Sequence, residues 1–176
     1  MLKKEARILG LSTTTNRNGK TFVVGVVFRG SSWLDGILTC SLEAGNTRHL
    51  SRVARAIMKS RQYSQLHAVI LSREQLVPGR DIDIAELARR LKLPVIAIIK
   101  KRAAMKEIKK TLKANYYDLE LNGKRLYILA KGISREKTQE VFTIGSTPKS
   151  SIPEAARVAD LITEQVTLKW SSLRLA

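Results

Sequence analysis

One cysteine, Cys40, in a chain of 176 residues allows neither an internal disulfide nor a cysteine-based metal cluster. Long apolar runs are missing too. Phe22–Phe28 and Pro94–Ile99 fall well short of the ~20 residues that span a bilayer. The opening MLKKEARILG has no apolar core of a secretory signal. No phosphate-binding loop, no GxGxxG fingerprint and no nucleophile elbow is present. Negative charge is scarcest of all, with 15 acids against 32 Lys and Arg, for a net +17 and a pI near 10.4.

What is there suits a globular domain. A hydrophobic fraction of 44% can fill a core, and the length is that of one domain over residues 1–176. A basic surplus of this size predicts an anionic polymer or surface as partner. Nucleic acid, DNA or RNA, is the expectation, in the cytoplasm and without a membrane.

The first third reads as an antiparallel meander. Ala6–Leu11, Lys20–Phe28 and Trp33–Leu42 are strand-like, separated by a turn-rich Thr13–Gly19 and by Arg29–Ser32. Leu50, Val53, Ala54, Ile57 and Met58 then recur at helical spacing, with Asn46 or Thr47 as cap. Leu66–Leu71 and Pro94–Ile99 are uniformly apolar, as parallel strands covered on both faces would be. Between them Asp83–Leu91 predicts a helix opened by acids. Lys100–Lys113 predicts a basic helix, and Asn122-Gly123 predicts a hairpin joining Tyr116–Leu121 to Lys124–Lys131. Helices over Ser134–Phe142 and Pro153–Thr167 complete an α/β order. The β-β-β-α-β-α-β sequence matches a ribonuclease H-like mixed sheet flanked by helices.

The positive charge is concentrated. Residues 1–113 hold 23 Lys and Arg against 8 acids, whereas residues 114–176 hold 9 against 7. Arg48, Arg52, Arg55 and Lys59 are spaced 4, 3 and 4 apart, which puts four cations on one helix face. Like charges at that spacing cost an isolated helix a few tenths of a kcal/mol per pair, and phosphates alongside would reverse the sign. Lys106, Lys109, Lys110 and Lys113 repeat the pattern after Lys100, Lys101 and Arg102.

Two blocks carry a family resemblance. The first is Arg7–Gly10 (RILG), Val23–Gly30 (VVGVVFRG) and Trp33–Leu38 (WLDGIL). The second spans Ala68–Lys101 with AVIL, DIDI and LPVIAIIKK, and a fainter match follows at Ile152–Ile162. Both resemble an archaeal family of unknown function related to endonuclease V. The resemblance implies a ribonuclease H-like fold and a magnesium-dependent nuclease ancestry. It also implies carboxylates after the first strand, where this chain has Ser12 and Thr13, and at the end of the fourth, where it has Ser72 and Arg73. A further glutamate of endonuclease V falls at about Leu42, with Glu43 one residue along and on the opposite strand face. Two-metal hydrolysis needs several carboxylates, and hydroxyls do not replace their charge.

Three functions compete on this reading. The first is a catalytically silent nucleic-acid-binding protein with no cofactor. The second is an active Mg-dependent endonuclease for deaminated or damaged bases, its acids recruited from Asp35, Glu43, Glu74 or Asp83. The third is a structural RNA-binding component of a ribonucleoprotein particle such as the ribosome. Trp33 lies in a segment similar to the one with which endonuclease V wedges a strand open. It is a candidate for stacking on a base or, equally, a turn-edge tryptophan. Asp35 reads as a turn cap and Asp83 as a helix N-cap. His49 and His67 have no partner at ligand spacing.

Overall fold

The structure is a computed structural model that describes residues 2–43, 48–73, 75–77, 80–99 and 114–172. Asn46, Thr47, Glu74 and the whole Lys100–Lys113 segment lie outside the described residues.

Strands β1 (Arg7–Thr15), β2 (Thr21–Arg29), β3 (Trp33–Leu42), β4 (Leu66–Leu71), β7 (Val95–Ile99), β8 (Asn115–Leu121) and β9 (Lys124–Lys131) build one sheet in the order β3-β2-β1-β4-β7-β9-β8. A two-stranded ribbon of β5 (Gln75–Val77) and β6 (Arg80–Asp81) stands apart from it and is not foreshadowed by the sequence pattern. β1 to β3 form the expected antiparallel meander, and β4 and β7 run parallel to β1. The apolar runs LHAVIL and VIAII thus occupy the sheet centre, where both faces are covered.

Strand β1 is longer than its apolar stretch. Thr13, Thr14 and Thr15 pair with Val23, Phe22 and Thr21, so the turn shrinks to residues 16–20. β-Branched threonine suits the extended backbone, and Asn16 closes the turn by donating its N–H to the Lys20 carbonyl at 2.9 Å. The Asn122-Gly123 hairpin forms as expected, both residues with positive φ of 50° and 73°.

Helices cover both faces. α1 (His49–Met58) and α2 (Ile84–Leu91) bury Val53, Ala54, Ile57, Leu87 and Leu91 against Leu9, Leu11, Val69 and Leu71. α3 (Arg135–Gly145) and α4 (Glu154–Ser172) bury Phe142, Ala155, Ala156 and Ala159 against Ile8, Val26, Ala68 and Ile70. Odd residues of β1 therefore face α1 and even residues face α4, as strand alternation requires. Asp83 caps α2 by accepting the Glu86 N–H at 2.8 Å, and Ser134 caps α3 by accepting the Lys137 N–H at 3.3 Å. α1 starts without a side-chain cap, Arg48 standing at its N-cap position.

The tightest junction among the described residues is between α4 and β1. A Cβ at Gly10 would lie 2.1 Å from the Ala155 carbonyl carbon and 2.2 Å from the Ala156 nitrogen. Backbone meets backbone there. Gly10→Ala should therefore push α4 off the sheet and cost about 3 kcal/mol or more in urea unfolding, at the upper end for overpacked cores. A loss under about 0.5 kcal/mol would show that the contact yields freely.

Candidate nucleic-acid interface

The inward residues of α1 leave Arg48, Arg52, Arg55 and Lys59 on its exposed side. The Arg52 N–H donates to the Arg48 carbonyl at 3.1 Å and the Lys59 N–H to the Arg55 carbonyl at 3.0 Å, so the helical turns that align them are formed. The row spans eleven rises of ~1.5 Å, about 17 Å. No acid occurs between Arg48 and Arg61. Arg52 also acts on Cys40 beneath it: burial pushes the thiol pKa up, and the nearby guanidinium partly offsets this. Cys40 itself is half-buried and packs against the core on the α1 side of the sheet.

Charge on α2 is differently arranged. Arg89 Nε and Arg90 Nε each donate to the Glu86 carboxylate at 2.7 Å. The Arg89 hydrogen bond is the main cause that holds the Glu86 pKa at about 2. A carboxyl lowered in this way adds stability above its ordinary pKa of ~4.3 and loses it as pH falls through about 2. An NMR titration should place the Glu86 midpoint near 2, and Arg89→Gln should raise it. A midpoint that ignores Arg89→Gln would refute the assignment.

Ser12 and Ser72 come together in the sheet. Leu11 pairs with Leu71, and the Ser72 N–H donates to the Leu11 carbonyl at 3.0 Å, so the two serines are neighbours at adjoining strand ends. Both are buried, at 2% and 3% exposure. Ser12 Oγ donates to Asp160 Oδ1 of α4 at 2.6 Å and lies 3.0 Å from Thr163 Oγ1. Thr14 and Thr167 extend this ladder of hydroxyls. Ser72 Oγ has no hydrogen-bond partner among the described residues. The apolar periodicity of its helix does not single out Asp160. A second pattern in the same helix does: Asp160, Thr163 and Thr167 recur at spacings of 3 and 4 on the side that meets β1.

This oxygen set does not fit a divalent metal. It offers a single carboxylate, already accepting from Ser12, and otherwise neutral hydroxyls, while Mg²⁺ prefers carboxylate and phosphate oxygens in near-octahedral geometry. The row across the sheet continues from Ser12 to Val24 and Thr39, adding no acid. No cluster of three or more His, Cys, Asp or Glu suited to a metal ion occurs among the described residues.

The remaining candidate acids among the described residues are engaged elsewhere. Asp35 is an ion-pair hub rather than a turn cap, 2.7 Å from Arg7 Nε and 3.1 Å from Arg29 Nε. Glu43 is exposed and pairs with Lys20 at 3.1 Å. His49 Nε2 donates to the Glu43 carbonyl at 3.1 Å, and His67 Nδ1 accepts the Arg7 N–H at 3.3 Å. Trp33 is 63% exposed. It pairs with Arg29, which pairs with Arg7, so it stands at the other end of β1, five residues or ~17 Å from Ser12.

The sheet order and its two helix layers define a ribonuclease H-like fold of the endonuclease V type. A family model described as Endonuclease dU matches residues 4–167, and the chain belongs to that family. A UPF0215 protein of Methanothermobacter thermautotrophicus is 34% identical over 95% of this chain and 90% of its own length. Among solved structures, a protein of unknown function from Archaeoglobus fulgidus superposes with a TM-score of 0.76 at 18% identity, covering 91% of this chain and 97% of that one. Endonuclease V of Ciona intestinalis, solved with a 24mer DNA containing an inosine followed by a ribo-adenosine, gives 0.64 at 13% identity over 93% and 86%. At such identities the structural matches establish the fold.

Ser12→Ala would strip Asp160 of a buried donor. The expected cost is ~1–3 kcal/mol of stability, read by urea unfolding, as for other buried acceptors left without a partner. A neutral substitution would mean that the ladder does not hold α4.

Proposed function

We propose that this chain is a nucleic-acid-binding protein on an endonuclease V-like fold, with a strand-end cluster that has given up cleavage and holds no resident metal. The observation that carries the reading is the exposed row Arg48, Arg52, Arg55 and Lys59, free of interleaved acids. Four adjacent cations repel one another on a bare helix and gain when phosphates displace counterions. The nuclease half of the reading is supported by chemistry. Ser12 and Ser72 supply neutral hydroxyls where hydrolysis through metal ions calls for carboxylates.

The name of the family, Endonuclease dU, favours a second reading, an active endonuclease on deaminated nucleic acid. Its acids would have to come from Asp35, Glu43, Glu74 or Asp83, with Asp160 at the strand-end cluster. The engagements of Asp35 with Arg7 and Arg29, of Glu43 with Lys20, of Asp83 with the start of α2 and of Asp160 with Ser12 weigh against it.

Binding and metal-dependence measurements decide. Replacing Arg48, Arg52 and Arg55 by Gln should flatten the slope of log affinity against log salt, by about 0.9 for each duplex-DNA phosphate that is no longer neutralised. An unchanged slope would reduce the row to a solvated face. Incubation of uracil- or inosine-containing strands with Mg²⁺ or Mn²⁺ should give no cleavage, and calorimetry no millimolar metal binding. Ser12→Asp combined with Ser72→Asp, beside native Asp160, should create measurable Mn²⁺ affinity. Metal-dependent cleavage by the unaltered protein would establish the second reading.

A further inference from the structure

We infer that the nucleic acid docks on the α1–α2 face, so that the seven-stranded sheet stands between the bound phosphates and the Ser12–Ser72–Asp160 cluster. This rests on the nucleic-acid reading above and adds to it a side and a ligand chemistry: the sugar–phosphate backbone of a duplex.

Strand alternation separates the two sites. Leu11 and Leu71 point into the core under α1 and α2, whereas Ser12 bonds to Asp160 of α4 on the opposite side. Among the described residues, the cluster side is closed over Ser12 and Ser72. α4 lies backbone to backbone on β1 at Gly10, and Ser12 and Ser72 are at least 97% buried beneath it. A polymer that followed the α1 row would remain on the far surface of the sheet.

Charge separates the faces as well. Residues 48–61 contain five cations and no acid, while residues 135–172, which hold α3 and α4, contain five of each. α2 continues the α1 side. Between its C-terminal half and the end of β9 runs a groove of about 290 Å³, lined by Ala88, Arg89, Lys92, Pro94 and Lys131 among others. Glu86 offsets this side by holding Arg89 and Arg90, so its removal would release two cations towards the ligand.

The ligand chemistry follows from what α1 lacks. His49–Met58 contains no Phe, Tyr or Trp, so the helix lacks the large aromatic platforms on which unpaired bases stack in single-strand binders. Arginines along ~17 Å match about five steps of one duplex strand at ~3.4 Å per step. Such a surface reads backbone and not sequence.

The test uses the full chain, a DNA duplex and an RNA duplex of the same sequence, and fluorescence anisotropy at fixed salt. Arg48→Gln with Arg52→Gln and Arg55→Gln should weaken the better-bound duplex at least about tenfold. Lys137→Gln with Lys149→Gln and Lys169→Gln, on the α3–α4 side, should change it less than about twofold. Glu86→Gln should tighten binding and steepen the salt dependence, whereas Glu164→Gln on α4 should do neither. Circular dichroism and melting keep folding defects apart from binding defects. If the α3–α4 triple variant loses affinity and the α1 triple variant does not, or if Glu86→Gln and Glu164→Gln tighten binding equally, the assignment of the face is overturned while nucleic-acid binding stands. If single strands bind and neither duplex does, the duplex ligand is overturned. No binding to any of these probes overturns the nucleic-acid reading itself.

Discussion

The contact of α4 with β1 is the constraint around which the molecule is arranged. Close approach at Gly10 brings a helix backbone onto a central strand, and that approach positions Asp160, Thr163 and Thr167 over Ser12 and Thr14. In water these hydroxyls would gain little from one another. Ser12 and Thr163 are buried, and either left unpaired would cost ~1–3 kcal/mol, so their pairing with each other and with Asp160 fixes the helix on the strand. Ser72 is the exception in this neighbourhood, a buried hydroxyl without a partner among the described residues.

Much of the architecture was legible in the sequence because it depends on local patterns. Uniformly apolar LHAVIL and VIAII announce central parallel strands, and Asn122-Gly123 announces a hairpin. The cation row on α1 was legible for the same reason, since helical spacing is a property of one segment. The threonines after Ser12 misled: polar and followed by Asn-rich sequence, they read as a turn, yet pairing with Val23 and Phe22 keeps them extended. Tertiary pairing outweighed local composition.

The candidate site was less legible because its parts are far apart in the chain. Ser12 and Ser72 could be named only through a family resemblance, and their burial beneath α4 follows from a Gly–Ala contact some 145 residues apart. Asp160 belongs to a helix whose sequence looks like an ordinary apolar face. The role of Asp35 was likewise hidden, because Arg7 and Arg29 lie on two other strands. Which helices share a side with which strand residues is a property of the assembled sheet. A row of arginines therefore reveals an affinity long before it reveals an address.

Asp35 carries one more consequence. Val27 faces Gly36 and Phe28 faces Leu34, which makes Asp35 the extra residue of a bulge in the outermost strand. Its carboxylate reaches back across β2 to β1 through Arg29 and Arg7. One side chain thereby indexes three strands against each other, like a pin through stacked plates. A slip of a single residue would rotate Leu11 towards α4 and Ser12 into the oil beneath α1, exchanging the dry and the polar halves of the protein. The pin sits at the strand ends opposite the hydroxyl ladder, so the meander is fastened at both extremities by different chemistry.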